Sequence, residues 1–273
     1  MFAALLHPVA EVDWLSWSIH WSTVIGVAAL AALHGLGTRR LQTSRIVRPI
    51  HRLLFITGLL VLFASLNGPI HDLSDHYLFS AHMVQHLLLT MVVPPLLIAG
   101  TPGAMLRPLL RHRAILATAQ RLVSARAAFV IFSVTLAAWH LPPLYNLAMA
   151  LHPVHIAQHL CFLVAATIMW WPIMSTAPEL PRLSYPQQML YTVLLTLPTT
   201  VISIFITYAD RVLYPAYSFA PRFWALSPLD DQRLGGLIMW IPGGLIFLGV
   251  LTVVFFRWAG AEAGGEVGEG AMG

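Results

Sequence analysis

The chain of 273 residues has no lysine and a single cysteine, and only 10% of its residues are charged. One cysteine rules out a disulfide within the chain, and it rules out a metal-carrier site built from a pair of thiolates. Glycine-rich phosphate loops, Gly-x-Ser-x-Gly elbows and His-Glu-x-x-His helices are also missing from the sequence. The common catalytic motifs therefore assign no enzyme class to this chain.

Hydrophobic residues, in contrast, make up 58% of the chain, and the mean hydropathy is +0.75. A hydrocarbon core of about 30 Å needs roughly 20 apolar residues per helix. The sequence predicts an all-α polytopic membrane bundle of about seven transmembrane helices. The stretches that qualify are residues 17–36, 50–66, 77–98, 127–147, 154–172, 187–208 and 233–256.

Arginine predicts the orientation of this bundle. Most of the fifteen basic residues, all of them arginine, follow the odd-numbered stretches, whereas the opposite loops hold only Arg211, Arg222 and Arg233. By the positive-inside rule, the N-terminus is expected outside and the C-terminus in the cytoplasm. The sequence pI of about 9.6 then reflects membrane topology, and we expect no nucleic-acid partner.

Two terminal segments flank the transmembrane domain, which we place at residues 17–258. Residues 1–16 lack the charged start of a cleavable signal peptide, and we expect them to lie at the outer surface. Residues 259–273 are rich in Gly, Ala and Glu and lack apolar periodicity. Such a composition cannot bury a core, so it predicts a disordered cytoplasmic tail.

The motif His-x-x-Gln-His-Leu occurs twice, each time near the start of an apolar stretch. Ionisable side chains at membrane depth are costly and usually face a bundle interior or a polar cavity. Residues four apart share one face of a helix, so His82 and His86 form one pair, and His155 and His159 form another. Both stretches are predicted to run inward from the outer face. The two pairs are therefore expected at similar depth, together with His140 at the end of the fourth stretch.

These histidines predict a metal site, because imidazole binds copper, zinc, iron and nickel. Methionine would favour Cu(I), and Met83, Met149 and Met239 are predicted at suitable levels. Three alternatives stay open. The histidines are also suited to bis-imidazole ligation of haem, to a path for protons or ions, or to a structural role with hydrogen bonds to the backbone or to Gln85 and Gln158.

Two further outer segments carry polar or aromatic side chains. His71 and His76 flank Asp72 and Asp75, which we interpret as a solvated polar loop, with a point of access for a cation as the alternative. The longest outer loop, residues 208–231, is rich in aromatic side chains. It is expected to receive a partner protein or to lie on the membrane.

Several short motifs form a linked set along the second to seventh stretches. They are Asn67-Gly68-Pro69, Ser80 to Leu89, Pro94-Pro95-Leu96, Trp139 to Pro143, His155 to Leu160 and Trp170-Trp171-Pro172. Together they resemble the integral-membrane CtaG family of bacterial cytochrome c oxidase assembly factors. The resemblance implies a seven-helix plasma-membrane protein that matures haem-copper oxidase through copper supply, and it implies that His82, His86, His140, His155 and His159 are the positions to test.

From these observations we expect a non-enzymatic assembly factor that binds copper near the outer face and supplies it to a haem-copper oxidase subunit. Its partners are expected to be an oxidase subunit or another assembly factor, together with membrane lipid. The alternative is a membrane transporter of copper or another cation. A transport path needs ligands at several depths, whereas the inner half offers chiefly His34 and His51. A second alternative is a bis-histidine haem-binding protein.

Overall fold

The protein, as described by a computed structural model over residues 17–41, 46–221 and 226–270, is built of helices. No strand occurs within these ranges. In chain order the helices are α1 (Trp21–Arg40), α2 (Pro49–Ser65), α3 (Pro69–His76), α4 (Phe79–Leu87), α5 (Val93–Gly100), α6 (Arg107–Leu110), α7 (Arg113–Leu122), α8 (Ala125–His140), α9 (Pro142–Ala150), α10 (His152–Met174), α11 (Tyr185–Thr207) and α12 (Pro228–Gly270).

The described helices confirm the predicted polytopic all-α bundle. Five spans are long and apolar enough to cross a membrane, namely α1, the α4 to α5 segment, α10, α11 and α12. Among the described residues the number rises to seven if each of two bent pairs is one span: α2 continues into α3 with a bend of 41°, and α7 continues into α8 with a bend of 65°. The orientation of the termini stays a prediction.

Some predicted boundaries differ from the structure. The fourth stretch, 127–147, is not one continuous helix: α8 ends at His140, as expected from the prolines that follow, and the rest of the stretch forms α9 from Pro142. Proline suits the first turn of a new helix but cannot continue an existing one, so the consecutive prolines after Leu141 break the span. Helix α12 continues to Gly270, past the predicted start of the tail. The predicted outer segment 1–16 lies outside the described residues, and the disorder of the tail stays a prediction.

Proline also shapes the helix that carries the first histidine pair. A π-helical turn, Leu88–Val92, joins α4 to α5. Pro94 has no N–H to give to the carbonyl of Thr90, so this carbonyl needs another donor. The indole Nε1–H of Trp170 on α10 donates to it at 2.8 Å. The break in the helical hydrogen bonds thus attaches the α4 to α5 span to α10, which carries the second pair.

Helix α12 fixes the other end of α4. The buried carboxylate of Asp231 accepts hydrogen bonds from the backbone N–H groups of Phe79 at 2.7 Å and Ser80 at 3.2 Å. These groups have no partner within their own helix, and a negative charge at a helix N-terminus is favourable. One turn further, Gly235 lets α12 approach closely, since a Cβ there would lie 2.4 Å from the ring of Phe79.

An apolar core lies next to the histidines. Phe132, Phe162, Ala166, Met169 and Leu195 are among its fully buried side chains, and they come from α8, α10 and α11. Burial of such side chains is the main favourable term in holding these helices at fixed positions once they are in contact. The histidines therefore lie against a tightly packed apolar core.

Candidate metal centre

The structure brings all five predicted histidines together at one end of the bundle. We call them the histidine cluster, and all of them are buried. Ring centroids of His82 and His155 lie 5.4 Å apart, and those of His86 lie 5.6 Å from His140 and 5.8 Å from His159. Three spans, α4, α8 and α10, thus meet through these side chains. Their role as metal ligands stays a prediction.

The nitrogen positions in the cluster are suited to a small cation. The Nε2 atoms of His82 and His86 are 2.8 Å apart, and ligand nitrogens of His82, His155 and His159 lie within 4.8 Å of one another. Two imidazole nitrogens that each bind one ion at about 2.0 Å stand roughly 2.8 to 3.3 Å apart for angles near square-planar or tetrahedral. The Nε2 atoms of His82 and His86 have this separation, and in this structure a hydrogen bond joins them.

Two rings of the cluster have one nitrogen fixed by a hydrogen bond. The Nδ1–H of His140 donates to the carbonyl of Leu136 at 2.7 Å, and Nδ1 of His155 lies 3.3 Å from a carboxylate oxygen of Asp75. The opposite Nε2 atoms are buried and have no hydrogen-bond partner among the described residues. Metal-binding histidines usually donate their second N–H to a carboxylate or backbone carbonyl in this way.

Tyr217 fixes one ring nitrogen of His82 by a hydrogen bond in the same way. Its hydroxyl donates to the carbonyl of Ser74 at 2.7 Å, so its oxygen can only accept from Nδ1–H of His82 at 3.2 Å and from the hydroxyl of Tyr145 at 2.9 Å. This hydrogen-bond network assigns the His82 proton to Nδ1. The Nε2 lone pair of His82 therefore points toward His86.

Asp75 joins the cluster to a sixth histidine. Its carboxylate also lies 3.4 Å from Nε2 of His71, whose Nδ1 accepts a hydrogen bond from the Gln85 side chain at 3.1 Å. The interpretation of residues 71–76 as a solvated polar loop is wrong. These residues form α3, and the side chains of His71 and Asp75 are only 7% and 15% exposed.

The long loop before α12 also differs from expectation. Tyr214 and Tyr217 fold back onto the bundle and are buried, and the hydroxyl of Tyr214 donates to the carbonyl of His140 at 2.9 Å. The expectation that this loop faces a partner or the membrane is thus wrong for these two tyrosines, whereas Phe219 is exposed. Residues 222–225 of the loop lie outside the described ranges.

The three predicted methionines occupy different places. The hydroxyl of Tyr217 lies 3.8 Å from the sulfur of Met149, which puts this methionine at the edge of the cluster. Met83 and Met239 pack within the apolar core. Of the three thioethers, the described contacts therefore link Met149 to the residues that orient the histidines.

A cavity of about 760 Å³ lies beside the cluster between α1, α2, α5 and α10. Most of its lining is aliphatic, and five histidines line it at the end where α1 and α10 begin. They are His20, His71, His152, His155 and His159. The cluster therefore has one face against tightly packed helices and another toward this cavity.

His20 stands at the edge of the cavity, immediately before α1. Its backbone N–H donates to the side chain of Asn67 at 2.8 Å, and its ring meets the ring of His71 edge-on with centroids 4.3 Å apart. Burial lowers the pKa of His20 from its ordinary value, and the carboxylate of Asp75 opposes this shift. The ring is therefore neutral at pH 7, which is the form that binds metal ions.

Fold and site together define a multi-pass helical membrane protein with a buried polyhistidine centre. Residues 32–261 match the family of cytochrome c oxidase caa3 assembly factors, called CtaG, and the chain belongs to this family. The predicted resemblance is confirmed. A multi-pass location in a bacterial membrane follows from the apolar helices and from this family.

Relatives occur in mycobacteria. Uncharacterized proteins of Mycobacterium bovis and Mycobacterium tuberculosis are each 25% identical to the chain over 269 residues, and one of Mycobacterium leprae is 24% identical over 262 residues. Each match covers 88% of this chain and 39% of the relative. The chain thus spans about two fifths of the length of these curated relatives. No solved structure matches it.

Proposed function

We propose that the chain is a cytochrome c oxidase assembly factor that holds a copper ion in the histidine cluster and passes it to an oxidase subunit or to another assembly factor. Family membership supports the assembly role. The copper cargo rests on one observation: the His140 and His155 rings each have Nδ1 tied to a protein acceptor, while Nε2 is buried without a partner in the described chain.

This pattern favours cation binding over a purely structural role. Leaving a buried polar atom without a hydrogen bond costs about 1 to 3 kcal/mol. Nε2 of His140, His155 and His159 and Nδ1 of His86 all have this status. A structural cluster would be expected to pair them, whereas a bound ion would accept their lone pairs.

The supports of the rings indicate how the ion would be held. His155 is supported by a carboxylate, His82 by a phenol hydroxyl and His140 by a backbone carbonyl. Each support holds its ring in one tautomer before an ion arrives, so little rearrangement opposes binding. No thiolate takes part, and imidazole ligation without thiolate suits moderate affinity, which a protein that hands its cargo on requires.

The distribution of histidines supports holding copper over conducting it. On the far side of the bundle, Nε2 of His34 donates to the carbonyl of Gly100 at 3.0 Å, and the Nδ1 atom of His51 accepts from the backbone of Arg48 at 3.2 Å. Both rings thus have structural partners there. A transport path would need available ligands at several depths.

A competition titration tests the proposal. The purified protein in detergent is titrated with copper(I) in the presence of a chromogenic copper(I) chelator, and the same titration is run on His82→Ala/His155→Ala. We expect about one copper per chain for the unmodified protein and at least a hundredfold weaker binding for the double variant, since two direct ligands are lost. His112→Ala is the matched control, because His112 is exposed and lies outside the cluster.

Binding by the unmodified protein that equals the double variant would refute copper holding. The assembly role is tested separately by restoring the gene to a bacterium that lacks it and measuring the copper content and activity of its oxidase. We expect the unmodified protein and the His112→Ala variant to restore both, and the double variant to restore neither.

A further inference from the structure

We propose that His20 and His152 form an outer copper site that the ion occupies only in transit, from which it passes by His71 and Asp75 to the histidine cluster. This inference rests on the proposed copper-holding function. The outer site adds to the copper-holding function a place where the ion enters and leaves the protein, and a direction in which it moves.

The imidazole rings from His152 to His82 form a continuous row, which we call the file. The ring centroids of His152 and His20 lie 5.5 Å apart, those of His20 and His71 4.3 Å, and those of His71 and His155 6.1 Å. From His155 the file continues into the cluster through His82 at 5.4 Å. A copper ion bridges two imidazole nitrogens about 4 Å apart at most. Neighbouring rings at these spacings can therefore exchange an ion when they rotate, and His71 must first release its hydrogen bond from Gln85.

Exposure decreases along the file. His152 is exposed and His20 is half-buried, whereas His71 and His155 are each 5% exposed and His82 is fully buried. The first two rings thus meet the solvent or the membrane surface, and the last is shielded from both. This gradient gives the file an accessible end and a protected end, as a loading path requires.

His20 and His152 come from different elements that begin at the same end of the bundle. His20 precedes α1 and is held by the side chain of Asn67, while His152 is the first residue of α10. Both line the cavity beside the cluster. His20 lies before residue 32, where the family match begins, whereas His152 lies within it.

Asp75 places a negative charge between His71 and the histidine cluster. Its carboxylate contacts both His71 and His155, and a partly buried carboxylate attracts a cation more strongly than one in water. Each transfer step forms one copper–nitrogen bond while another breaks. Copper keeps its oxidation state throughout, so no reductant or oxidant is required.

Stopped-flow copper exchange tests this inference. Copper(I) bound to a chromogenic chelator is mixed with the purified full-length protein, and loading is followed by chelator absorbance; release is followed after adding excess chelator. For His20→Ala/His152→Ala we expect loading and release each to slow by roughly tenfold, because local capture of the ion is lost. The equilibrium affinity should stay within about twofold, because the buried ligands are unchanged. His112→Ala is again the matched control.

Each outcome decides between the proposals. Unchanged rates in the double variant would overturn the outer site. A large loss of equilibrium affinity would also overturn it, because the two histidines would then belong to the buried site; circular dichroism and His20→Gln/His152→Gln separate this result from misfolding. Absence of copper binding by the unmodified protein refutes the proposed function itself, and is distinguishable because no exchange signal appears.

Discussion

Replacement of Asp75 by asparagine removes the charge that supports the cluster but keeps the shape of the side chain. One oxygen of Asp75 lies 3.3 Å from Nδ1 of His155 and 3.4 Å from Nε2 of His71. Asparagine can still accept one hydrogen bond from these rings. It cannot stabilise the positive charge that develops on a copper-bound imidazole, and its NH₂ group competes with the ring N–H groups for space.

The size of the effect follows from the position of Asp75 behind the ligands. Loss of a group that orients a metal-bound histidine typically weakens metal binding by about 10- to 100-fold. This corresponds to about 1.4 to 2.7 kcal/mol. We expect Asp75→Asn near the lower value and Asp75→Ala near the upper one, because alanine also leaves Nδ1 of His155 without an acceptor and lets the ring turn.

The assay is equilibrium competition with the copper(I) chelator on purified protein. Asp72→Asn is the matched control, since Asp72 lies on the same helix and its carboxylate accepts from the hydroxyl of Ser18. Circular dichroism of each variant checks that the helices are retained. Equal copper affinities for Asp75→Ala, Asp72→Asn and the unmodified protein would refute the assigned support of His155.

Three further variants test the packing around the cluster. Asp231→Ala should lower the free energy of unfolding by about 1 to 3 kcal/mol, because buried N–H groups of α4 lose their acceptor. Asp230→Ala, at an exposed ion pair, should change this free energy by less than about 0.5 kcal/mol. Denaturant unfolding in detergent measures both values. Gly235→Ala should cost about 1 to 3 kcal/mol in the same assay by pushing α12 from α4, while Gly244→Ala, with open space around its Cβ, should be neutral or slightly stabilising. Tyr217→Phe should weaken copper binding by about tenfold in the competition titration, and wild-type affinity in this variant would contradict the tautomer assigned to His82.

The sequence predicts the paired histidines well because their positions depend on local geometry. Spacing of four on an apolar helix fixes a common face, and an ionisable group on such a face must point away from lipid. His82 and His86 on α4, and His155 and His159 on α10, follow this rule. The helix end before Pro142 likewise sets the level of His140.

Asp75 could not be placed in the same way. Its position depends on the bend between α2 and α3, where Gly68 adopts a positive φ of 69° and Pro69 starts the next helix. The motif Asn-Gly-Pro predicts a turn but not the direction in which the following residues leave it. The i, i+4 spacing of His71 and Asp75 was the available signal, and it suggests a helix with one polar face where we predicted a solvated loop.

Tyr217 has no comparable signal at all. It is separated from Ser74 by 143 residues and from His82 by 135, so its contacts exist only once the loop before α12 has folded over the bundle. Aromatic residues in an outer loop are equally consistent with a membrane surface or a partner interface. Contacts between such distant positions are set by packing of the whole bundle, which a periodicity argument does not reach.

The residues that support the histidine cluster lie on different elements from the histidines themselves, so movement of these elements can change the affinity for copper. Asp75 lies on α3, Tyr217 in the turn before α12, and Asp231 at the start of α12 holds the helix of His82 and His86. A partner that docks on this end of the bundle and displaces α3 or the turn would withdraw a support without touching a ligand. Under the proposed function, copper affinity would then fall on contact with the recipient, so that the ion is retained until the recipient binds.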